Sequence, residues 1–371
     1  MKKYFSPGRI NLIGEHIDYN GGNVFPCTID LGIVGYVELN NSNFINLKSK
    51  NVNSSQTISV DFTKPYKKTK TWADYMIGVL SVLRNYNFEN KIGFNLVIDS
   101  TLPHGAGLSS SACIEVLMCS ILNDLNNFKL TDEQISLFAQ EAENKFVGVN
   151  CGIMDQFIIA NGKKDNALLL NTNTLNFDYI PINLGEYAIL ILNSNKKRGL
   201  VDSAYNTRRE ECQKAQQIIN LNYNVKNTCD ISSFQLKKIK NQFEENVYKR
   251  AYHAVSEQER VNESIVALKS NNIKLFADYI TRAHYSLKDN FEVSCSELDY
   301  IVENALKLGA VGARMIGAGF GGCAIAIIEK SKIKEFKNNI AFSYKNKFNL
   351  DCDIYNVNIV DKCGLVSDHN E

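Results

Sequence analysis

Short apolar runs between Asn- and Gly-rich turns fill residues 1–60, as in Ile33-Val34-Gly35-Tyr36-Val37, and predict strands. The period then changes. Trp72, Tyr75, Met76, Val79, Leu80 and Leu83 recur at helical spacing, whereas Phe94, Leu96 and Ile98 alternate as a strand does. After the loop Pro103-His104-Gly105-Ala106-Gly107, the apolar period of Ser109–Leu125 predicts a helix. Thr131-x-x-Gln134 is a capping-box pattern heading a stripe of Ile135, Phe138, Ala139, Ala142 and Phe146. Asn150–Asp155 turns into a further element, and strands are expected over Ala167–Leu170 and Ala188–Leu192. Long polar helices follow, broadly over 202–222 and 245–287, before strand-like runs at Cys323–Ile328 and Cys352–Val360. The change of character near 180–186 divides the chain into domains 1–183 and 184–371. Clustered strands in mixed order argue for an α+β fold, not a regular parallel array.

At 371 residues, two domains of ordinary size are expected. The net charge of +1 excludes recruitment of nucleic acid or an anionic membrane through bulk charge. Ten scattered cysteines with no Cys-x-x-Cys read as reduced thiols of a cytoplasmic protein. Met1-Lys2-Lys3 meets Ser6-Pro7-Gly8-Arg9 before any apolar region develops, which argues against a signal peptide. No apolar run approaches the roughly 18 residues of a membrane span.

Candidate chemistry is concentrated in three places. Gly8-Arg9-Ile10-Asn11-Leu12-Ile13-Gly14-Glu15-His16-Ile17-Asp18-Tyr19 gathers charged and polar groups between apolar residues that call for packing. Unpaired buried charges cost too much for an ordinary core segment. A half-buried edge facing one concavity fits, and such a group suits a polyhydroxylated ligand, whose hydroxyls both donate and accept. Second, Pro103–Ala112 stands between a strand and a helix, with Gly for close backbone approach and free N–H groups at the helix start. That is an anion-binding layout, although the same residues also suit a Ser-capped helix after a Gly turn; the Lys of the common P-loop is absent. Third, Gly317-Ala318-Gly319-Phe320-Gly321-Gly322 satisfies Gly-x-Gly-x-x-Gly, but an apolar run reading as a strand follows it where a dinucleotide fold needs a helix. A tight loop leaning on a substrate or on the phosphate loop is expected instead. Taken alone, Asp155 reads as a turn or capping residue, Arg9 as half of an ion pair, and Glu143 as a solvated helix charge.

In this order, the three motifs resemble those of the galactokinases in the GHMP kinase superfamily. Trp72-Ala73-Asp74-Tyr75, Cys151-Gly152-Ile153-Met154-Asp155-Gln156-Phe157 and Tyr205-x-x-Arg208-Arg209-x-x-Cys212 add to the likeness, which spans almost the whole chain. The resemblance implies a two-domain GHMP kinase fold: a mixed-sheet amino-terminal domain, a ferredoxin-like α+β carboxy-terminal domain, and an active site in the cleft between them. It implies ATP- and Mg2+-dependent phosphorylation of galactose at the anomeric hydroxyl, the entry step of galactose catabolism, by a monomer. By the same likeness, Asp155 and Arg9 are the catalytic pair, and Glu15, His16, Asp18, Gly152 and Tyr205 fall on sugar-contact positions. Gly105, Ala106, Gly107, Leu108, Ser109, Ser110, Ser111 and Ala112 hold ATP phosphates, Trp72 lies near the adenine, and Ser111 and Glu143 are the magnesium ligands. There are departures: Asn144 follows Glu143 where similar enzymes usually have His, and Ala318 stands where Gly is usual. A kinase for a related sugar such as N-acetylgalactosamine and a non-catalytic sugar and ATP sensor are the alternative expectations.

Overall fold

A computed structural model describes residues 1–52, 56–103, 105–196 and 201–366, apart from the side chains of 201–203; His104 lies outside the described residues. The chain opens with β1 (Lys2–Asn11), β2 (Asn23–Val24), β3 (Pro26–Asn40), β4 (Phe44–Ser49) and β5 (Thr57–Asp61). Then come α1 (Asp74–Asn85), β6 (Gly93–Ser100), α2 (Ser110–Asn126), α3 (Asp132–Glu141), α4 (Met154–Asn161), β7 (Asn166–Asn171) and β8 (Phe177–Pro181). The capping box at the head of α3 forms as the sequence requires. Strands β1, β3, β6, β4 and β5 lie side by side, with β4 and β6 parallel and the other neighbours antiparallel. Their apolar face packs on α1–α4 through Ile45, Leu47, Phe94, Leu96, Val79, Leu117 and Phe157.

The remaining elements are β9 (Tyr187–Asn193), α5 (Val201–Tyr223), α6 (Ser233–Lys238), α7 (Glu245–Lys269), α8 (Ile273–Ser286) and α9 (Ser296–Lys307). They are followed by β10 (Gly312–Met315), β11 (Cys323–Glu329), α10 (Ile333–Phe348), β12 (Asp353–Val357) and β13 (Gly364–Leu365). Strands β9–β12 form an antiparallel sheet in the order β10-β11-β9-β12, which is the ferredoxin-like arrangement. β13 then pairs with β1, so the end of the chain returns to the first sheet.

The stretch 245–287 is two helices, not one. Polar Ser270-Asn271-Asn272 breaks the period; Asn271 has φ +55°, and the Asn272 side chain caps α8 at the Leu275 N–H. Among the described residues, β8, α6, α9 and α10 also go beyond what the pattern predicted.

Among the described residues, no linker separates the halves. Ile10, Leu12 and Ile13 of the amino-terminal motif are fully buried in one core with Val261, Phe276, Ile280, Ile316 and Ile325. The motif is therefore anchored by the carboxy-terminal half, and its polar residues are left facing the seam.

Candidate active site

Arg9 is aimed by a bulge. The register of β1 against β3 shifts between Pro7 and Gly8, and such a shift re-aims the side chains beyond it. Gly8 is needed there: a Cβ would come within 2.7 Å of the side chain of Leu102, just before the loop 103–112, and 3.2 Å of the carbonyl of Leu108 within it. Arg9 thus lies against that loop and donates Nη1 to the Gly107 carbonyl at 2.8 Å. The rest of its guanidinium forms a fork on Asp155, with Nε to Oδ1 at 2.8 Å and Nη2 to Oδ2 at 2.9 Å. Burial is the largest single influence and opposes the Arg9 charge, but the charge and hydrogen bonds of Asp155 together with Glu15 outweigh it and raise the arginine's pKa. Asp155 sits in the first turn of α4 and also accepts a hydrogen bond from the Ser109 hydroxyl.

That last contact corrects the reading of the serines as helix caps. Ser109 is the residue preceding α2, but its side chain makes no capping bond and serves Asp155 instead. Gly105, Gly107 and Ser109 all have positive φ, which curls the loop over the start of α2, whose first turn holds no acidic residue. Its N–H groups and dipole therefore remain available to an anion.

Two adjoining cavities meet at the fork. One, of about 340 Å³, is lined by the phosphate loop from Gly105 to Ser111. The other, of about 620 Å³, is lined by Glu15, His16, Asp18, Cys151, Gly152 and Tyr205 among others. Arg9, Asp155, Gly317 and Ala318 belong to both. The glycine motif 317–322 is the turn between β10 and β11, strand on both sides, which excludes the dinucleotide reading.

In the larger cavity, Glu15 is held rigid. Its Oε1 accepts the Gly317 N–H at 2.7 Å and pairs with Arg314 at 3.0 Å, while Oε2 takes Asn11 at 3.2 Å. Burial raises its pKa against these partners. His16 adopts φ +61°, packs at a tilt against Phe291 with ring centroids 4.7 Å apart, and shares a hydrogen between Nδ1 and the Tyr19 hydroxyl at 2.8 Å. Burial, then the neighbouring His253, lowers its pKa to about 3, so the ring is neutral. Its Nε2 is buried, and the Ala318 backbone lies within hydrogen-bonding reach of the ring. Asp18 packs on Gly152: a Cβ there would meet Asp18 Oδ2 at 2.5 Å, so glycine makes room for the carboxylate. Burial first, then the Glu15 charge, raises the Asp18 pKa to about 6. Tyr205, on α5, stands 5.9 Å from His16 and 6.1 Å from Tyr19 between ring centroids.

Glu143 is not the solvated helix charge its spacing suggests. It lies on a single π-helical turn (Ala142–Val147), is 5% exposed, and accepts from Gln156 at 2.7 Å and the Cys151 thiol at 3.4 Å. Burial raises its pKa, whereas the Cys151 thiol and the Ser111 hydroxyl favour its charged form. Asn144, at the position where His is usual, accepts the Cys151 N–H at 2.9 Å and ties the following loop to this turn. Glu115, fully buried, is held well above the ordinary carboxylate range by burial and by Glu143. Trp72 stands apart: it is half-buried against the amino-terminal core and is not among the residues lining either cavity.

Pattern reading did not single out Arg314, Glu257, His253, Glu115 or Gln156. Arg314 is fully buried, donates to the Leu12 and Met315 carbonyls at 3.1 and 2.9 Å, and lies 3.9 Å from Glu257. Glu257 in turn accepts the Gly14 N–H at 2.9 Å, and His253 Nε2 meets the Glu15 carbonyl at 3.0 Å. Arg314, Glu257 and His253 fix the amino-terminal motif from the other half of the chain, a relation that no local spacing encodes.

Residues 3–38 match the family described as "Galactokinase galactose-binding signature", 74–163 match "GHMP kinases N terminal domain", and 264–346 match "GHMP kinases C terminal". The chain is 44% identical over 355 residues to the galactokinase of Clostridium perfringens (strain 13 / Type A), covering 95% of this chain and 92% of that one. It is 44% identical over 372 residues to the galactokinase of Fusobacterium nucleatum subsp. nucleatum, covering 99% and 95%. The structure of Lactococcus lactis galactokinase complexed with galactose superposes with a TM-score of 0.93 at 36% identity, over 98% of this chain and 95% of that one. Methanococcus jannaschii mevalonate kinase shares the fold, with a TM-score of 0.71 at 23% identity and coverage of 97% and 98%.

Proposed function

This chain belongs to the galactokinase family of GHMP kinases and phosphorylates galactose with ATP at the anomeric hydroxyl, and from that premise we propose how its residues divide the work. Galactose takes the larger cavity and the ATP phosphates take the loop Gly105–Ala112. The observation that carries this reading is the Arg9–Asp155 fork at the seam, shared by both cavities. Phosphoryl transfer asks for alignment, charge neutralisation and a proton acceptor. The Asp155 carboxylate accepts the proton of the anomeric hydroxyl, and Arg9 stabilises negative charge on the transferring group. Trp72 is assigned to the adenine side by family likeness alone.

Mg2+ fits the donor set at the phosphate loop. Ser111 in the first turn of α2 and the buried Glu143 carboxylate offer hard oxygens, and the hydroxyl favours the charged carboxylate. The ion would neutralise phosphate charge there. Glu143→Gln keeps the shape and removes the charge, so the magnesium concentration for half-maximal rate rises several-fold while sugar preference stays the same. An unchanged magnesium requirement returns Glu143 to a structural role.

Asp18 and Glu15 accept sugar hydroxyls, and His16 Nε2 is a further buried polar atom of a residue lining the same cavity. Asp18→Ala weakens galactose binding far more than binding of an ATP analogue, read by calorimetric titration of each. The raised Asp18 pKa adds a pH signature. The carboxylate form is the acceptor and is lost as pH falls through about 6, so kcat/KM for galactose declines on that acid limb. Asp18→Asn has no proton to take up and loses the limb; a limb that persists in Asp18→Asn belongs to another group.

Ten cysteines, none of them in a disulfide, support a reducing, cytoplasmic setting, and no helix among the described residues is long and apolar enough to cross a membrane. The chain acts as a monomer in this reading, which light scattering checks. ADP release over galactose, glucose, N-acetylgalactosamine and arabinose tests substrate choice. Galactose should be preferred, and a preference for N-acetylgalactosamine would shift the assignment to the related kinase.

A further inference from the structure

Gln156 directly follows Asp155, so while Asp155 faces the cavities Gln156 points into the protein, where it is fully buried. An amide nitrogen carries two hydrogens, and both are spent on carboxyl groups. Nε2 donates to Glu143 Oε2 at 2.7 Å and to Glu115 Oε2 at 3.0 Å. The Cys151 thiol donates to the same Glu143 oxygen at 3.4 Å, so the carboxylate is gripped by Oε2. Glu115 lies four residues after Ser111 on α2, on the same face of the helix one turn further in. One side chain thus joins the helix of Asp155, the helix of Ser111 and the π-helical turn of Glu143.

This arrangement is costly as mere packing. Gln156 Oε1 is buried with no hydrogen-bond partner among the described residues, a desolvation cost that an apolar residue of the same shape would avoid. What the amide supplies in return is its pair of N–H groups. Groups that hold a metal ligand from behind set its direction, and their loss typically weakens metal affinity by about 10- to 100-fold.

We propose that Gln156 is a positioning residue that aims the Glu143 carboxylate at the metal–nucleotide complex, with Glu115 as the fixed acceptor that orients it. The inference rests on the magnesium reading of Glu143 given above, and it adds a residue that touches neither sugar nor phosphate.

The test measures binding, not turnover. The non-hydrolysable ATP analogue AMP-PNP is titrated calorimetrically into the whole protein, once with magnesium and once with EDTA; the ratio of the two affinities is the metal-dependent gain. Gln156→Met, similar in shape and without donors, should cut that gain by about tenfold or more, leaving galactose affinity within about twofold. Glu115→Gln keeps an acceptor for Gln156 and should retain the gain, whereas Glu115→Met should lose part of it. That second pair decides the matter where Gln156→Met does not fold. An unchanged gain in Gln156→Met, or equal gains in the two Glu115 variants, overturns the proposal, as does a matching loss of galactose affinity. Glu143→Gln separates the two levels. If it leaves the gain intact, the magnesium reading fails and the inference with it; if it abolishes the gain while Gln156→Met does not, only the role of Gln156 is wrong.

Discussion

Asp155→Asn lowers turnover by about 10² to 10⁴ and leaves the dissociation constant for galactose nearly unchanged. The amide is close to isosteric, so α4 and both cavities keep their form. Its nitrogen, however, cannot accept a proton. It also presents hydrogens where an oxygen now receives Arg9 and, at Oδ2, Ser109. Ser109 can rotate to accept, because a hydroxyl both donates and accepts. Arg9 cannot; it keeps only the Gly107 carbonyl and one amide oxygen. On the proposed assignment, the variant removes the proton acceptor and misorients the cation that faces the transferring group. A role limited to orienting the hydroxyl gives a smaller loss, since the remaining oxygen still accepts a hydrogen bond. Single-turnover rates together with sugar titration separate the two, and near-full turnover rules out the assigned role.

Arg314→Met destabilises the protein by about 3–5 kcal/mol and weakens galactose binding along with it. Arg314 reaches from β10 into the amino-terminal motif, with no exposed surface of its own. Its removal leaves Glu15 buried without its cation and strips two carbonyls of their donor. Glu257 suffers less because Arg260 still pairs with it at 2.8 Å. The thermal midpoint should fall on the order of 10 °C. Arg314→Lys should fall between the variant and the parent, since an ammonium supplies charge without the planar fork. A midpoint that does not move contradicts the view that this arginine ties the two halves together.

Much of the proposed site was legible because several of the residues assigned to it are close together in the chain. Arg9, Glu15, His16 and Asp18 lie on one short segment whose apolar positions fix its packing, and the phosphate loop has its glycines where the backbone turns left-handed. The relation of Asp155 to Arg9 came from family likeness, because 146 residues separate the pair and no spacing links them. Glu143 misled a reading of period alone. A π-helical turn inserts a residue into the helical repeat and swings it inward, which a fixed 3.6-residue period cannot represent. The helix break at Ser270–Asn272 was missed for a related reason: the apolar stripe continues on both sides, and only turn chemistry marks the interruption. Arg314 and Glu257 stayed hidden because a buried charge looks in sequence like any surface charge until its partner is known.

The central claim is that the fork of Arg9 on Asp155 stands where the sugar's anomeric oxygen meets the terminal phosphate of ATP. The most direct test is the phosphorus NMR spectrum of the product made from galactose, ATP and magnesium. The expected spectrum has a phosphate coupled to the anomeric carbon and proton, formed in equal amount with ADP. A phosphate coupled to the 6-position, or release of ADP without any phosphorylated sugar, would contradict it.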